Sequence, residues 1–251
     1  MVGEGVEQES DMTTTTTHPI DVRRANSRFR TNIGWLDGKH SFSFGSHYDP
    51  ANVGHGLLLV SNDDVVRAGT GFDTHPHRDM EIVTWVLSGR LEHKDSEGNR
   101  GELYPGLAQR MSAGTGIWHS EMNPSGSDDV HLVQMWIQPD TARIKPGYEQ
   151  LDINSELDKG GLVPIASGRG HDAAIAIRQR DAVLWGGRLR ADEVVSVPDG
   201  RYVHLFVARG QLHLEGAGEL LTGDAVRLSG VSGPKLTAGP EGAEVLIWAM
   251  G

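Results

Sequence analysis

The chain has 251 residues, enough for one large or two small domains, and its 23 Lys+Arg against 34 Asp+Glu leave a formal charge of −11. So acidic a balance excludes nucleic acid or an anionic membrane as the main partner, because both reward a clustered positive surface. The absence of cysteine removes disulfides, thiolate nucleophiles, cysteine zinc sites and iron–sulfur clusters, while 33 glycines, nearly double the ~7% of ordinary proteins, promise many turns.

Residues 1–17 are polar and Thr-rich and are expected to form a disordered tail. They carry neither the basic start nor the apolar stretch of a secretory signal. Apolar runs such as Leu57 to Val60 and Val245 to Met250 fall far short of the roughly 18 residues a spanning helix needs, so a cytoplasmic protein is expected. From Ile20 to Pro139 short apolar runs alternate with Gly, Asn, Asp and Pro clusters. GLLLV (56–60), EIVTWVLSG (81–89), GRLEHKD (89–95) and VHLVQMWIQ (130–138) read as strands of a sandwich or barrel over 18–138. Thr84, Val86, Arg90, Glu92 and Lys94 alternate with apolar neighbours, as on strands with one wet face. Residues 139–170, with Pro139, Pro146 and Gly147, read as a connector holding one short helical turn. Strand texture resumes over 171–251, where VARGQLHLEG (207–216) echoes VLSGRLEHKD (86–95), a weak repeat that suggests two similar barrels.

Chemistry concentrates in two segments. His75 and His77 lie two apart, so on a strand both rings leave one face, and Pro76 between them suits a sheet rim. His119 and Glu121 repeat the spacing. Either pair alone is ordinary for a β protein. Two on neighbouring strands would aim three imidazoles and a carboxylate at one point inside a barrel and hold a divalent transition metal with positions left open. Fe(II), Ni, Cu, Mn and Zn all suit that donor set.

The spacings Gly69-x5-His75-x-His77-x3-Glu81-x7-Gly89 and Gly116-x2-His119-x3-Asn123 resemble the two cupin motifs. HSFSFGSHYDP (40–50), GTGFDTHPHRDMEIVTWVLSGRLEHKDSEGN (69–99) and QRMSAGTGIWHSEMNPS (109–125) resemble bacterial pirin-like proteins over about Gly34 to Gln150. Gly114 stands where the second cupin motif usually has proline, as it does in the pirin wording. The resemblance implies an all-β fold of two tandem cupin (jelly-roll-like) barrels. One metal, first of all Fe(II), would sit in the front barrel, and the rear barrel would be degenerate and metal-free. It implies the ligand set His75, His77, His119 and Glu121. Glu81, of the same parity as His75 and His77, is the rival carboxylate and is otherwise expected to orient an imidazole.

The remaining histidines are given bland roles. His40, His47 and His55 are expected to be structural or exposed, His93 to occupy a wet strand position, and His131 to be satisfied at a core strand. His171, His204 and His213 form no His-x-His or His-x-Glu pair. Phe42, Phe44, Phe72, Met80, Trp85, Met111, Trp118, Met122, Met135 and Trp136 are read mainly as core, a few as walls for a flat substrate. There is no Gly-x-Ser-x-Gly elbow and no phosphate loop. The resemblance therefore implies a dioxygenase of quercetin 2,3-dioxygenase type acting on a flavonol-like substrate and dioxygen. Glu121 would be both ligand and base, with its pKa raised by an apolar barrel. The alternative is a metal-containing, redox-responsive regulator acting through a protein partner.

Overall fold

Short apolar runs broken by turn residues become strands almost throughout. The computed structural model describes residues 19–172 and 175–251; the tail expected over 1–17 lies outside them. The first half carries β1 (Ile20–Arg23), β2 (Phe29–Asn32), β3 (Leu36–His40), β4 (Leu58–Val66), β5 (Gly71–His77), β6 (Glu81–Ser88), β7 (Leu91–Asp95), β8 (Arg100–Leu103), β9 (Leu107–Ser112), β10 (Ile117–Met122), β11 (Val130–Ile137) and β12 (Gly147–Asp152). A helical turn, α1 (Asn154–Leu157), precedes β13 (Val163–Ser167), β14 (Ile175–Ala176), β15 (Ala182–Leu189), β16 (Val194–Ser196), β17 (Tyr202–Leu214), β18 (Gly218–Leu221), β19 (Ala225–Ser229) and β20 (Lys235–Met250).

The front barrel is a seven-stranded sheet, β12-β9-β6-β11-β4-β3-β2, closed by a four-stranded sheet, β5-β10-β7-β8. Val66, Val86 and Leu132 of the larger sheet pack against Leu91 and Leu103 of the smaller. The rear unit is a nine-stranded sheet, β1-β19-β17-β20-β15-β13-β14, to which β16 and β18 are added by pairing with β20 and β17. Its interior is filled by aliphatic side chains such as Leu205, Val207, Leu212, Val226, Val245 and Ile247.

Two boundaries differ from the expectation. The strand β1, expected within the front barrel, pairs with β19 in the rear sheet, with Ile20 opposite Leu228. The stretch 139–170 is more than a connector: β12 extends the front sheet beside β9, and β13 extends the rear sheet beside β15. The echoed segments also part company. Gly89 (φ +80°) ends β6 in a turn, whereas Gly210 (φ +77°) lies in a bulge within the continuous β17. A Cβ at Gly210 would collide with the carbonyl of Gly242.

The rear unit covers the outer face of the seven-stranded sheet. Val83, Trp85, Val133 and Met135 share one core with Ile165, Phe206, Leu246 and Trp248. Trp85 Nε1 donates to Glu244 Oε1 at 2.8 Å across this seam, and Trp248 Nε1 lies 3.3 Å from Met135 Sδ. Hence the wet face expected at Thr84 and Val86 does not exist: Glu81 through Leu87 are all buried, one side by the barrel interior and the other by the rear unit. The rear barrel backs the front one. It is no lid over the four-stranded sheet, which carries the candidate ligands.

Candidate metal centre

Strand register arranges the inner face of the four-stranded sheet as a grid. On β5 and β10, His75 lies opposite His119 and His77 opposite Ile117. On β10 and β7, His119 lies opposite Asp95 and Glu121 opposite His93. The period of two does send both rings of His75-Pro76-His77 inward, where a ligand atom from each of His75, His77 and His119 lies within 4.8 Å of the others. Ring centroids are 4.4 Å apart for His75–His119, 4.9 Å for His75–His77 and 5.0 Å for His77–His119.

A bulge on β5 lies beside Glu121. The β5–β10 register shifts between His119 and Glu121, so on β5 Glu121 faces Phe72 in place of Asp73, while on β7 it faces His93. Its carboxylate groups within 4.8 Å of His119 and His93. It accepts from Gln134 Nε2 at 2.7 Å and Thr84 Oγ1 at 3.4 Å, both on the opposite sheet. The apolar surroundings expected for this carboxylate are therefore replaced by two polar donors.

The imidazoles are prepared to give lone pairs. His75 Nδ1 donates to the carbonyl of Asp73 at 2.7 Å, which keeps the proton on Nδ1 and leaves the Nε2 lone pair free for a metal. Burial, reinforced by the neighbouring imidazoles, pushes His77 down to about 4 and His119 down to about 3. Both rings are thus neutral at ordinary pH. Nε2 of His77 and Nε2 of His119 are buried without a hydrogen-bond partner, a costly arrangement that a cation bound between them would relieve. The donor set fits a divalent transition metal.

Glu81 does not join the cluster. Asp79 (φ +47°) turns the chain between His77 and Glu81, so the two lie on different sheets despite their shared parity. Glu81 points to the seam with the rear unit, where Oε2 accepts from Ser112 Oγ at 2.9 Å and from the Arg178 amide at 3.0 Å. Its expected role of orienting an imidazole is corrected accordingly. Asn123 ties down the turn after β10, donating to the carbonyls of Val66 and Asp128.

His93 is the main residue misjudged from sequence. Far from wet, its side chain is fully buried beside that of Asp95, and its ring centroid is 5.3 Å from that of His119. The legible signal was a third same-face pair, His93-x-Asp95, on the strand after the Gly89 turn. Elsewhere, His40 bonds to Asn62 and Thr31, His55 to the Leu228 carbonyl, and His131 to Asp63. His47 meets the Arg30 carbonyl and His171 the Ser167 hydroxyl. In the rear barrel His204 is buried and His213 exposed. Trp118 is 54% exposed on the outer face of β10, so it is not core. Trp136 packs edge-on to His77 at 4.8 Å, with Phe44 behind it at 5.6 Å. No helix among the described residues is long and apolar enough to cross a membrane.

Comparison with known proteins agrees with this geometry. Residues 22–137 match the Pirin family model, and residues 164–250 match the model of the quercetinase C-terminal cupin domain. The chain is 57% identical over 235 residues to a Mycobacterium tuberculosis protein provisionally named as a quercetin 2,3-dioxygenase, covering 93% of this chain and 96% of that one. It is 44% identical over 199 residues to the quercetin 2,3-dioxygenase of Escherichia coli, covering 78% and 84%. The crystal structure of the bacterial pirin YhhW from Escherichia coli in complex with nickel(II) superposes with a TM-score of 0.85 at 38% identity, covering 92% of this chain and 98% of that one. With both halves matched and the fold shared throughout, the chain belongs to the pirin family, as two tandem cupin barrels.

Proposed function

We propose that this protein is a metal-dependent dioxygenase of quercetin 2,3-dioxygenase type, with His75, His77, His119 and Glu121 as ligands to one divalent metal. The observation that carries this reading is the convergence of three imidazoles with two buried, unpartnered Nε2 atoms. Fe(II) is the first choice, and Ni(II), Mn(II), Cu(II) and Zn(II) suit the same donors. The names of the relatives support the substrate class. When bound, the metal supplies Lewis acidity toward a substrate hydroxyl and a common point for substrate and dioxygen.

The chain's own groups divide the remaining work. Glu121 can accept the proton of a flavonol hydroxyl, and Gln134 and Thr84 hold its two oxygens meanwhile. Trp136 and Phe44 offer a flat apolar wall beside His77 for an aromatic ring. The rear unit seals the back of the seven-stranded sheet, so substrate enters from elsewhere. The test is purified protein, reloaded with each of the five metals and mixed with quercetin in air. Loss of flavonol absorbance with matched dioxygen uptake is expected for at least one metal. No turnover with any of them overturns the enzymatic reading.

A further inference from the structure

We infer that His93, anchored by Asp95, is a positioning residue that sets which nitrogen of His119 faces the metal. This rests on the metal-centre reading above and adds a residue pair to it.

The chain of reasoning begins at Asp95, whose side chain is fully buried. Its Oδ1 accepts from the Glu97 amide at 3.0 Å, the Asn99 amide at 2.9 Å and Asn99 Nδ2 at 3.1 Å. Its Oδ2 accepts from Asn99 Nδ2 at 2.9 Å and lies 3.2 Å from His93 Nε2. An ionised carboxylate only accepts, so His93 Nε2 carries the proton of that contact. With the ring's proton placed on Nε2, Nδ1 is left to accept. It lies 3.5 Å from His119 Nδ1, long for a hydrogen bond, and among the described residues it is the partner of that atom. His119 therefore carries its proton on Nδ1 and keeps a lone pair on Nε2, the buried atom left without a partner. A carboxylate, an imidazole and a second imidazole thus run in series, each fixing the tautomer of the next.

The packing holds the middle ring still. Tyr148 lies over His93 with ring centroids 4.8 Å apart and planes 30° apart. It can do so because residue 101 is glycine: a Cβ there would collide with the Tyr148 hydroxyl. His93 also groups with His119 and Glu121 closely enough to be a ligand itself. A positioning role and a ligand role differ in what they predict, and the experiment separates them.

Nickel(II) affinity is measured by chelator competition on the full chain for wild type, His93→Phe, His93→Gln and Asp95→Asn. Imidazoles on the metal are counted by nickel-edge X-ray absorption. His93→Phe keeps a flat ring but offers no acceptor, and it should bind about 10- to 100-fold more weakly with the imidazole count unchanged. His93→Gln restores an acceptor for His119 Nδ1 and should recover affinity to within roughly threefold of wild type. Asp95→Asn should weaken binding by about three- to tenfold, and it decides the matter should His93→Phe fail to fold. Wild-type affinity in His93→Phe, or in Asp95→Asn when only that variant folds, overturns the inference. So does His93→Gln binding no better than His93→Phe, or the loss of one imidazole from the count in His93→Phe. Wild type taking up no nickel at all sinks the underlying metal reading instead.

Discussion

Gln134 reaches from the seven-stranded sheet to donate to Glu121 on the facing sheet at 2.7 Å. It belongs to a polar row that crosses six strands at one level: His40 opposite Asn62, Asn62 opposite Gln134, Gln134 opposite Thr84, Thr84 opposite Gln109, and Gln109 opposite Gln150. In the rear barrel the interior is aliphatic. The front barrel has placed hydrogen-bonding groups where its companion has packing, and buried groups of that kind cost free energy when left unpaired.

Replacing Gln134 by leucine tests that pairing. The substitution removes one donor from Glu121 and leaves Trp136 Nε1 without Gln134 Oε1, its acceptor at 3.1 Å. Gln134→Leu should lose about 1–3 kcal/mol in urea denaturation of the metal-free protein. Unchanged stability would mean that the row is not energetically coupled.

Glu81 and Glu121 should separate cleanly. Glu121→Gln should impair metal uptake, because an amide is a much poorer ligand than a carboxylate. Glu81→Gln should keep its metal and instead lose about 1–3 kcal/mol, since its carboxyl oxygen accepts from Ser112 and the Arg178 amide at the seam. Metal content and melting of the two variants, measured together, check both halves; loss of metal from Glu81→Gln would reinstate it as a ligand.

The paired spacing of His75, His77, His119 and Glu121 was legible because side chains on a strand alternate with a period of two. The grouping of the three imidazoles follows from it. The shift of β5 past Glu121 was not legible, because the extra residue at Asp73–Thr74 leaves no mark in local spacing. Nor was the burial of both faces of β6, since Thr84 and Val86 are covered by the facing sheet and Val83 and Trp85 by a second barrel much further along the chain. His93 was misread for a related reason. Its neighbours Lys94 and Glu92 form an ion pair at 3.0 Å on the outer face, and charged neighbours suggest water on both sides of a strand that has it on only one.

The shared core predicts that the front half does not fold alone. A fragment ending at Gln138 would expose Val83, Trp85, Val133 and Met135, and would lose β1 from its place beside β19. Such a fragment should aggregate or bind a hydrophobic dye strongly. A monomeric fragment with a cooperative melt would show the barrels to be independent.

Stability of the metal-free protein should fall with acid. His77 and His119 have folded-state values of about 4 and about 3 against an ordinary 6.5. Below 6.5 the unfolded chain binds protons that the folded chain refuses, so stability drops as pH falls from 6.5 toward 4 and is insensitive to these rings above that range. Each ring contributes up to about 1.4 kcal/mol per pH unit. Asp64, raised by burial and by the nearby Asp63 and Glu121 to about 8, acts in the opposite sense but is common to both proteins compared. The double variant His77→Gln with His119→Gln should therefore show a shallower acid slope than wild type; equal slopes would contradict buried neutral rings.

Metal stoichiometry in wild type and His119→Ala is the most direct measurement, because His119 is shared by both clusters of candidate ligands. After chelation and reloading with nickel(II), wild type should retain about one equivalent through desalting, and His119→Ala should retain almost none. Retention of a full equivalent by a folded His119→Ala, or none by wild type, would contradict a metal centre built on these imidazoles.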